Sequence, residues 1–307
     1  MHATVNSGIS EASGHQGWQV VFRDARLDEV SLSNAEMSPS PSADSLLDLS
    51  FVSFLTPFGM LVLHGLIKRL SSVGCLTVQV PNRDVATYLW RMDFHVCLET
   101  ELKAGTVKFS PEFSAYRFSR KPLKESLLEL QGVNAASDEE VTQAEERLWS
   151  VIQRRAPTLG ALEEQVRIAL VEILSNVQRH SGTAKAWVVA QSYAYPVERV
   201  EIAIGDVGVG LRHSLSRLHR QRLQQMSDWE VAKFATEPGI TGSELGGGTG
   251  LSAILEIVRE YGGALHLASG HGCYSAYRSS EQGLDYILAL PGTVVGVSLV
   301  GRSAGRS

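Results

Sequence analysis

The sequence predicts an α/β protein of two domains. Three observations carry this reading. The chain has 307 residues, about twice the roughly 150 residues of a common domain. Apolar runs that alternate with a period of two are interspersed with runs of period 3.6, the patterns of strands and helices. A small, polar stretch at residues 131–136 separates the halves. The divisions expected are a flexible lead-in at residues 1–16, a small α/β domain at 17–130, a linker and helix at 131–157, a second α/β domain at 158–301 and a tail at 302–307.

In chain order, Trp18 to Phe22 reads as a strand, and the Ser- and Pro-rich stretch from Ser31 to Ala43 as a loop, because it has little to bury. Leu47, Leu49 and Phe51 alternate as a strand does. Pro57 and Gly59 then open a helix carrying Leu61, Leu63, Leu66, Ile67 and Leu70. A strand is expected from Leu76 to Val80, a helix from Arg83 to Met92 and a short strand at His95 to Leu98. Ser137 and Glu140 have capping-box spacing, so a helix starts there and runs to about Arg155, where Pro157 and Gly160 stop it.

The next helix places Val166, Ala169, Leu170, Ile173, Leu174 and Val177 on one arc. Ala184 to Tyr193 and Arg199 to Ile204, joined through Tyr195 and Pro196, read as an antiparallel pair. A polar, Arg-rich region covers Arg212 to Ser243. Glycines then lead into a helix from Leu251 to Tyr261, followed by three strands at Ala264 to Ala268, Cys273 to Tyr277 and Val294 to Leu299.

Composition bounds the function classes. A formal net charge of −5 gives no long-range attraction for a polyanion, so nucleic acid is not indicated. Cys75, Cys97 and Cys273 are too few and too far apart for a disulfide framework, which fits a reducing cytosol and a cytoplasmic location. The most apolar stretch, Phe51 to Ile67, is interrupted by Ser53, Thr56, Pro57, Gly59, His64 and Gly65, so no membrane span is expected.

Three elements carry chemistry. Glu172 and Asn176 are four residues apart, on one side of a helix at the border of its apolar arc. They are either a surface pair or a carboxylate and carboxamide lining a cavity, a donor set that suits magnesium and its bound waters. Asp206 follows an apolar strand and opens Asp206-Val-Gly208-Val-Gly210, which is either a turn or a carboxylate poised to accept from an exocyclic amine. Gly246-Gly247-Gly248-Thr249-Gly250 ends where the helix of Leu251, Ile254, Leu255 and Val258 begins. Free amides there can hold phosphate oxygens, and no lysine precedes Thr249 as a Walker loop requires.

These motifs, with Pro291-Gly292-Thr293 before a last strand, resemble the GHKL superfamily of ATPases, which includes gyrase B, histidine kinases and mismatch-repair ATPases. The resemblance covers about residues 159–300. It implies a Bergerat α/β sandwich, a mixed sheet with helices on one face. It further implies that Asn176 ligates magnesium, Glu172 activates the attacking water, Asp206 reads the adenine amine with support from Thr293, and Gly208, Gly210, Gly246, Gly247, Gly248, Thr249, Gly250 and Leu251 bound the nucleotide. The Arg212 to Ser243 segment becomes an ATP lid with Glu237 to Thr241 as its return, and Arg179 and His180 become candidate phosphate contacts.

Residues 47–102 resemble STAS domains, the small α/β modules of anti-sigma antagonists and sulfate transporters. The position before Gly59, often a phosphorylatable serine in that family, is Phe58 here, with Thr56 a poor substitute. Together the resemblances imply an ATPase that uses Mg-ATP and lid closure as a slow switch read by a protein partner. Alternatives are an anti-sigma-type serine/threonine kinase and an adaptor that ATP only stabilises. Relatives of this fold often work as dimers.

Overall fold

The computed structural model describes residues 17–116, 127–195, 197–242 and 248–300. The first half contains β1 (Trp18–Val21), β2 (Arg26–Leu27), β3 (Glu36–Pro39), β4 (Ser45–Asp48) and β5 (Phe54–Leu55). It continues with α1 (Pro57–Ser71), β6 (Leu76–Gln79), α2 (Arg83–Arg91), α3 (Phe94–Glu99), β7 (Val107–Phe109) and α4 (Pro111–Ala115). The second half runs through β8 (Leu127–Asn134), α5 (Asp138–Arg155), a 3₁₀ turn (Pro157–Leu162), α6 (Glu163–His180), β9 (Lys185–Tyr193) and β10 (Arg199–Asp206). It ends with α7 (Gly210–Leu223), α8 (Asp228–Ala235), α9 (Gly250–Tyr261), β11 (Gly263–Tyr277) and β12 (Glu281–Val300).

The protein is thus α/β, built on two five-stranded sheets ordered β3-β1-β4-β6-β7 and β11-β12-β10-β9-β8, beside a small β2-β5 pair. The first sheet is mixed: β1 pairs antiparallel with β3, and β4, β6 and β7 continue parallel. In the second sheet every pairing is antiparallel, where the resemblance implies a mixed sheet.

Local signals explain where helices start. Thr56 caps α1, its Oγ1 accepting from the Gly59 amide at 2.9 Å, and Pro57 sits at the first helical position. Ser137 caps α5, accepting from the Glu140 amide at 3.3 Å, while the Glu140 carboxylate reaches back to the Asn134 amide at 2.8 Å.

Several expectations are corrected. The Ser- and Pro-rich stretch contains β3, an exposed edge strand whose lack of buried side chains hides it from pattern reading. His95 to Leu98 is helical: buried Phe94, Cys97 and Leu98 recur at helical, not strand, spacing. Residues 131–134, expected as linker, finish β8, the edge strand of the second sheet. The last three short strands are one long hairpin, β11 and β12, whose alternation is broken by bulges around Ser269 to Gly272. The Arg-rich segment folds into α7 and α8, and α8 buries Val231, Ala232, Phe234 and Ala235.

The largest departure concerns the core. The helical layer of α5, α6, α7, α8 and α9 packs on one face of the second sheet as expected. The opposite face is covered too, by α1. A single cluster joins Leu61, Leu63 and Leu66 of α1 and Leu47 and Val78 of the first sheet to Val189, Ala203 and Val294 of the second. The two halves therefore share one of their cores rather than each burying its own. That is why α1 is apolar nearly all round, with twelve of its fifteen residues buried. No described helix is long and apolar enough to cross a membrane.

Candidate functional site

The site lies between the helical layer and the second sheet. Amphipathic α6 turns Ile173 and Val177 inward, and Asn176, one turn beyond Glu172, comes with them to the wall of a cleft. The apolar strand β10 ends at Asp206, which forms the floor with Thr293 of β12, its register partner. Gly210, at the start of α7, and Gly248 and Leu251, at the start of α9, complete the rim. The predicted residues Asn176, Asp206, Gly210, Gly248, Leu251 and Thr293 thus line one cleft of about 90 Å³. Gly246 and Gly247 lie outside the described residues.

Asp206 is 7% exposed. Burial pushes its pKa up to about 6, against amide hydrogen bonds from Gly208 and Thr293 that favour the charged form. The Gly208 amide donates to Oδ1 at 2.7 Å. Thr293 therefore supports Asp206 through its backbone. Ile204, Leu267 and Val295 form apolar walls beside this carboxylate. A small, mainly apolar cleft with one buried carboxylate suits a heteroaromatic ring bearing an amine.

Glu172 does not itself line the cleft but binds the loop that does. Its Oε1 accepts the amides of Gly248 and Thr249, both at 2.8 Å, and its Oε2 accepts the Thr249 hydroxyl. Burial would raise its pKa, but the Thr249 hydroxyl and the amides of Thr249, Gly250 and Gly248 outweigh it and hold the carboxyl below its ordinary range. Glu172 thus occupies donors that the sequence assigns to phosphate, at the positive end of α9. Gly250 packs directly on its stem, where a Cβ would lie 3.0 Å from the Glu172 Cβ.

The basic residues of α6 and α7 divide. His180 lines the cleft, and burial together with the neighbouring Arg179 lowers its pKa, so the ring is neutral at pH 7. Arg179 is exposed, with Nε 3.4 Å from the Ser175 carbonyl. Arg212 is committed elsewhere: it clips α7 to α8 through Asp228 at 2.6 Å and the carbonyls of Leu223 and Met226. Arg222 pairs with Glu237 and stacks over Phe234.

One contributor escapes sequence reasoning. Ser269 accepts the Leu211 amide at 2.9 Å and donates to the Gly292 carbonyl at 2.7 Å, tying the start of α7 to the strand that carries Thr293. Its only signal is a hydroxyl closing the apolar run Ala264 to Ala268. Among the described residues no group of three His, Cys, Asp or Glu is arranged to hold a metal ion. No protein-family model, curated protein or solved structure matches this chain.

Proposed function

We propose that the chain binds ATP with magnesium in this cleft, hydrolyses it slowly, and uses lid movement as a conformational switch read by a protein partner. One observation carries the reading: a buried carboxylate between apolar walls, Asp206, shares a cleft with Asn176 and with the glycine-bounded start of α9. The adenine amine donates to Asp206, and the phosphates run toward the amides of Gly248 and Thr249. Magnesium takes few protein ligands when phosphates supply the rest, so the Asn176 carboxamide is a sufficient protein contact.

The cleft is narrow against the about 300–1,000 Å³ of common ligand pockets. Nucleotide entry therefore requires the wall of Ser214 and Ile240 to Gly242 to move outward, which is the movement a lid would make. As phosphate arrives it competes with Glu172 for the Gly248 and Thr249 amides. A displaced Glu172 regains the accepting capacity needed to orient a water.

A second reading, an adaptor that binds ATP without turnover, is favoured by the engagement of Glu172 with the loop. Phosphorylation in cis is disfavoured under either reading. Phe58 has no hydroxyl, and Thr56 is 3% exposed and spends its Oγ1 on capping α1. The deciding experiment follows γ-labelled ATP with magnesium in the intact chain and in Glu172→Ala. Phosphate release that depends on Glu172 supports the switch. Label on an added protein partner supports a serine/threonine kinase, and bound but unconsumed ATP supports the adaptor.

A further inference from the structure

A second cavity, of about 200 Å³, lies on the other face of the second sheet, where that sheet meets the first half of the chain. Alternation along β11 and β12 turns Leu267 and Val295 toward the cleft and His266 and Ser298 toward this cavity. The walls come from distant segments: Arg26 and Glu29, Phe58 at the start of α1, Glu201 on β10, and His266 and Tyr277 on β11.

The bulges of β11 build the enclosure. His266 Nδ1 lies 2.9 Å from Ser275 Oγ, although the two are nine positions apart, a span of about 30 Å in a straight strand. The hairpin has doubled over. This brings the Tyr277 ring to 5.8 Å from the His266 ring in an edge-on arrangement, while Phe58 approaches His266 at 5.7 Å. Three rings thus border the space.

The charges around it do not balance. Arg26 pairs with Asp28 at 3.0 Å and lies 3.6 Å from Glu201, which also receives Arg199 at 2.9 Å. Glu29 has no lysine or arginine partner among the described residues. Its Oε1 faces His266 Nε2 at 3.9 Å and the Tyr277 hydroxyl at 3.4 Å. Burial lowers the pKa of His266 to about 4, so the imidazole is neutral at pH 7 and does not compensate Glu29. The uncompensated charge shows in its neighbours: Asp28 is raised by burial and then by Glu29, and Tyr277 is raised to about 12 by the same two causes in the same order.

A carboxylate without a Lys or Arg partner, set among aromatic rings, is the chemistry that recognises an alkylated cation. The carboxylate supplies the opposite charge, and the ring faces add attraction without the strong desolvation that a bare metal ion would require. We propose that this cavity binds a small organic ammonium ion, with its nitrogen against Glu29 and its alkyl groups against Phe58, His266 and Tyr277. The site is separate from the nucleotide cleft and does not rest on the ATP reading.

The test is calorimetric titration of the full chain with methylammonium, tetramethylammonium and choline, and with the uncharged isostere of choline in which carbon replaces the quaternary nitrogen. At least one ammonium ion should bind saturably, with choline favoured over its isostere by about tenfold or more, and Glu29→Gln should weaken binding by about tenfold. In the unmodified chain the same titration should move the His266 ring resonances, a readout that needs no variant to fold. Absence of binding by all three ions would overturn the proposal. So would equal binding of the isostere, an unchanged affinity in a folded Glu29→Gln, or a His266 signal that stays in place at saturation.

Discussion

The ring of Phe58 fills the space above Gly296: a Cβ on that glycine would lie 2.5 Å from Phe58 Cδ2. Phe58 is thus a packing plug, 4% exposed, through which α1 seats on β12. The neighbouring contacts repeat the arrangement, since Leu61 lies over Gly205 and Gly65 faces Leu290. Small residues on one partner receive large ones on the other, so the helix approaches the strands closely.

Phe58→Ala should cost about 3–5 kcal/mol, the range for removing a buried aromatic ring. Because the core is shared, denaturant titration should show one transition for both sheets, and the variant should shift it as a unit. Separate transitions for strands of the first and second sheets, read by hydrogen exchange, would contradict the shared core.

Asp206→Asn should abolish nucleotide binding, measured by fluorescent nucleotide displacement. The pH dependence follows from a carboxyl pKa raised from 3.8 to about 6. The folded chain holds this proton more tightly than the unfolded chain, so the group's contribution to stability is full below about pH 4 and is lost as pH rises through 6. Nucleotide binding has the opposite sign. The amine donates best to the ionised form, so affinity should fall as pH drops below about 6, by up to about tenfold per unit.

Glu172→Ala should retain ATP binding and stop phosphate release. It also removes the acceptor for the Gly248 and Thr249 amides, at about 1–2 kcal/mol in global stability. Phosphate should restore part of that loss by taking the vacated donors, read as a rise in Tm with added ATP larger than in the parent chain.

Gly292→Ala should damage the floor of the cleft. Gly292 has φ of +70°, and a Cβ there would lie 2.1 Å from the Asp206 carbonyl oxygen. About 1–3 kcal/mol of stability should be lost, and nucleotide affinity should drop with it because Asp206 must shift. An unaltered affinity in a folded variant would show that Asp206 does not read the base.

The parts of the site that sequence reading reached are those encoded locally. Glu172 and Asn176 share a helix, Asp206 ends an apolar strand, and Gly248 and Leu251 open an amphipathic helix, so period and position suffice to mark them. Ser269 escaped because its work is to join Leu211 to Gly292, two segments far away along the chain. The commitment of Arg212 to Asp228 was equally invisible, since an arginine in a polar stretch looks the same whether it grips a phosphate or a neighbouring helix. The apolar character of α1 was plain, yet what covers it was not: nothing in residues 57–71 says that Gly296 is the counterpart of Phe58.

That shared helix bears on how the chain is made. A ribosome releases α1 long before β10 and β12, the strands on which it rests. Until they emerge, a segment apolar on nearly every side lacks the strands it packs on, and the first half cannot complete its fold during synthesis in the way an independent domain does. The nascent chain therefore carries an interval of exposure in which chaperone capture competes with self-association, and that interval closes only when the final hairpin docks.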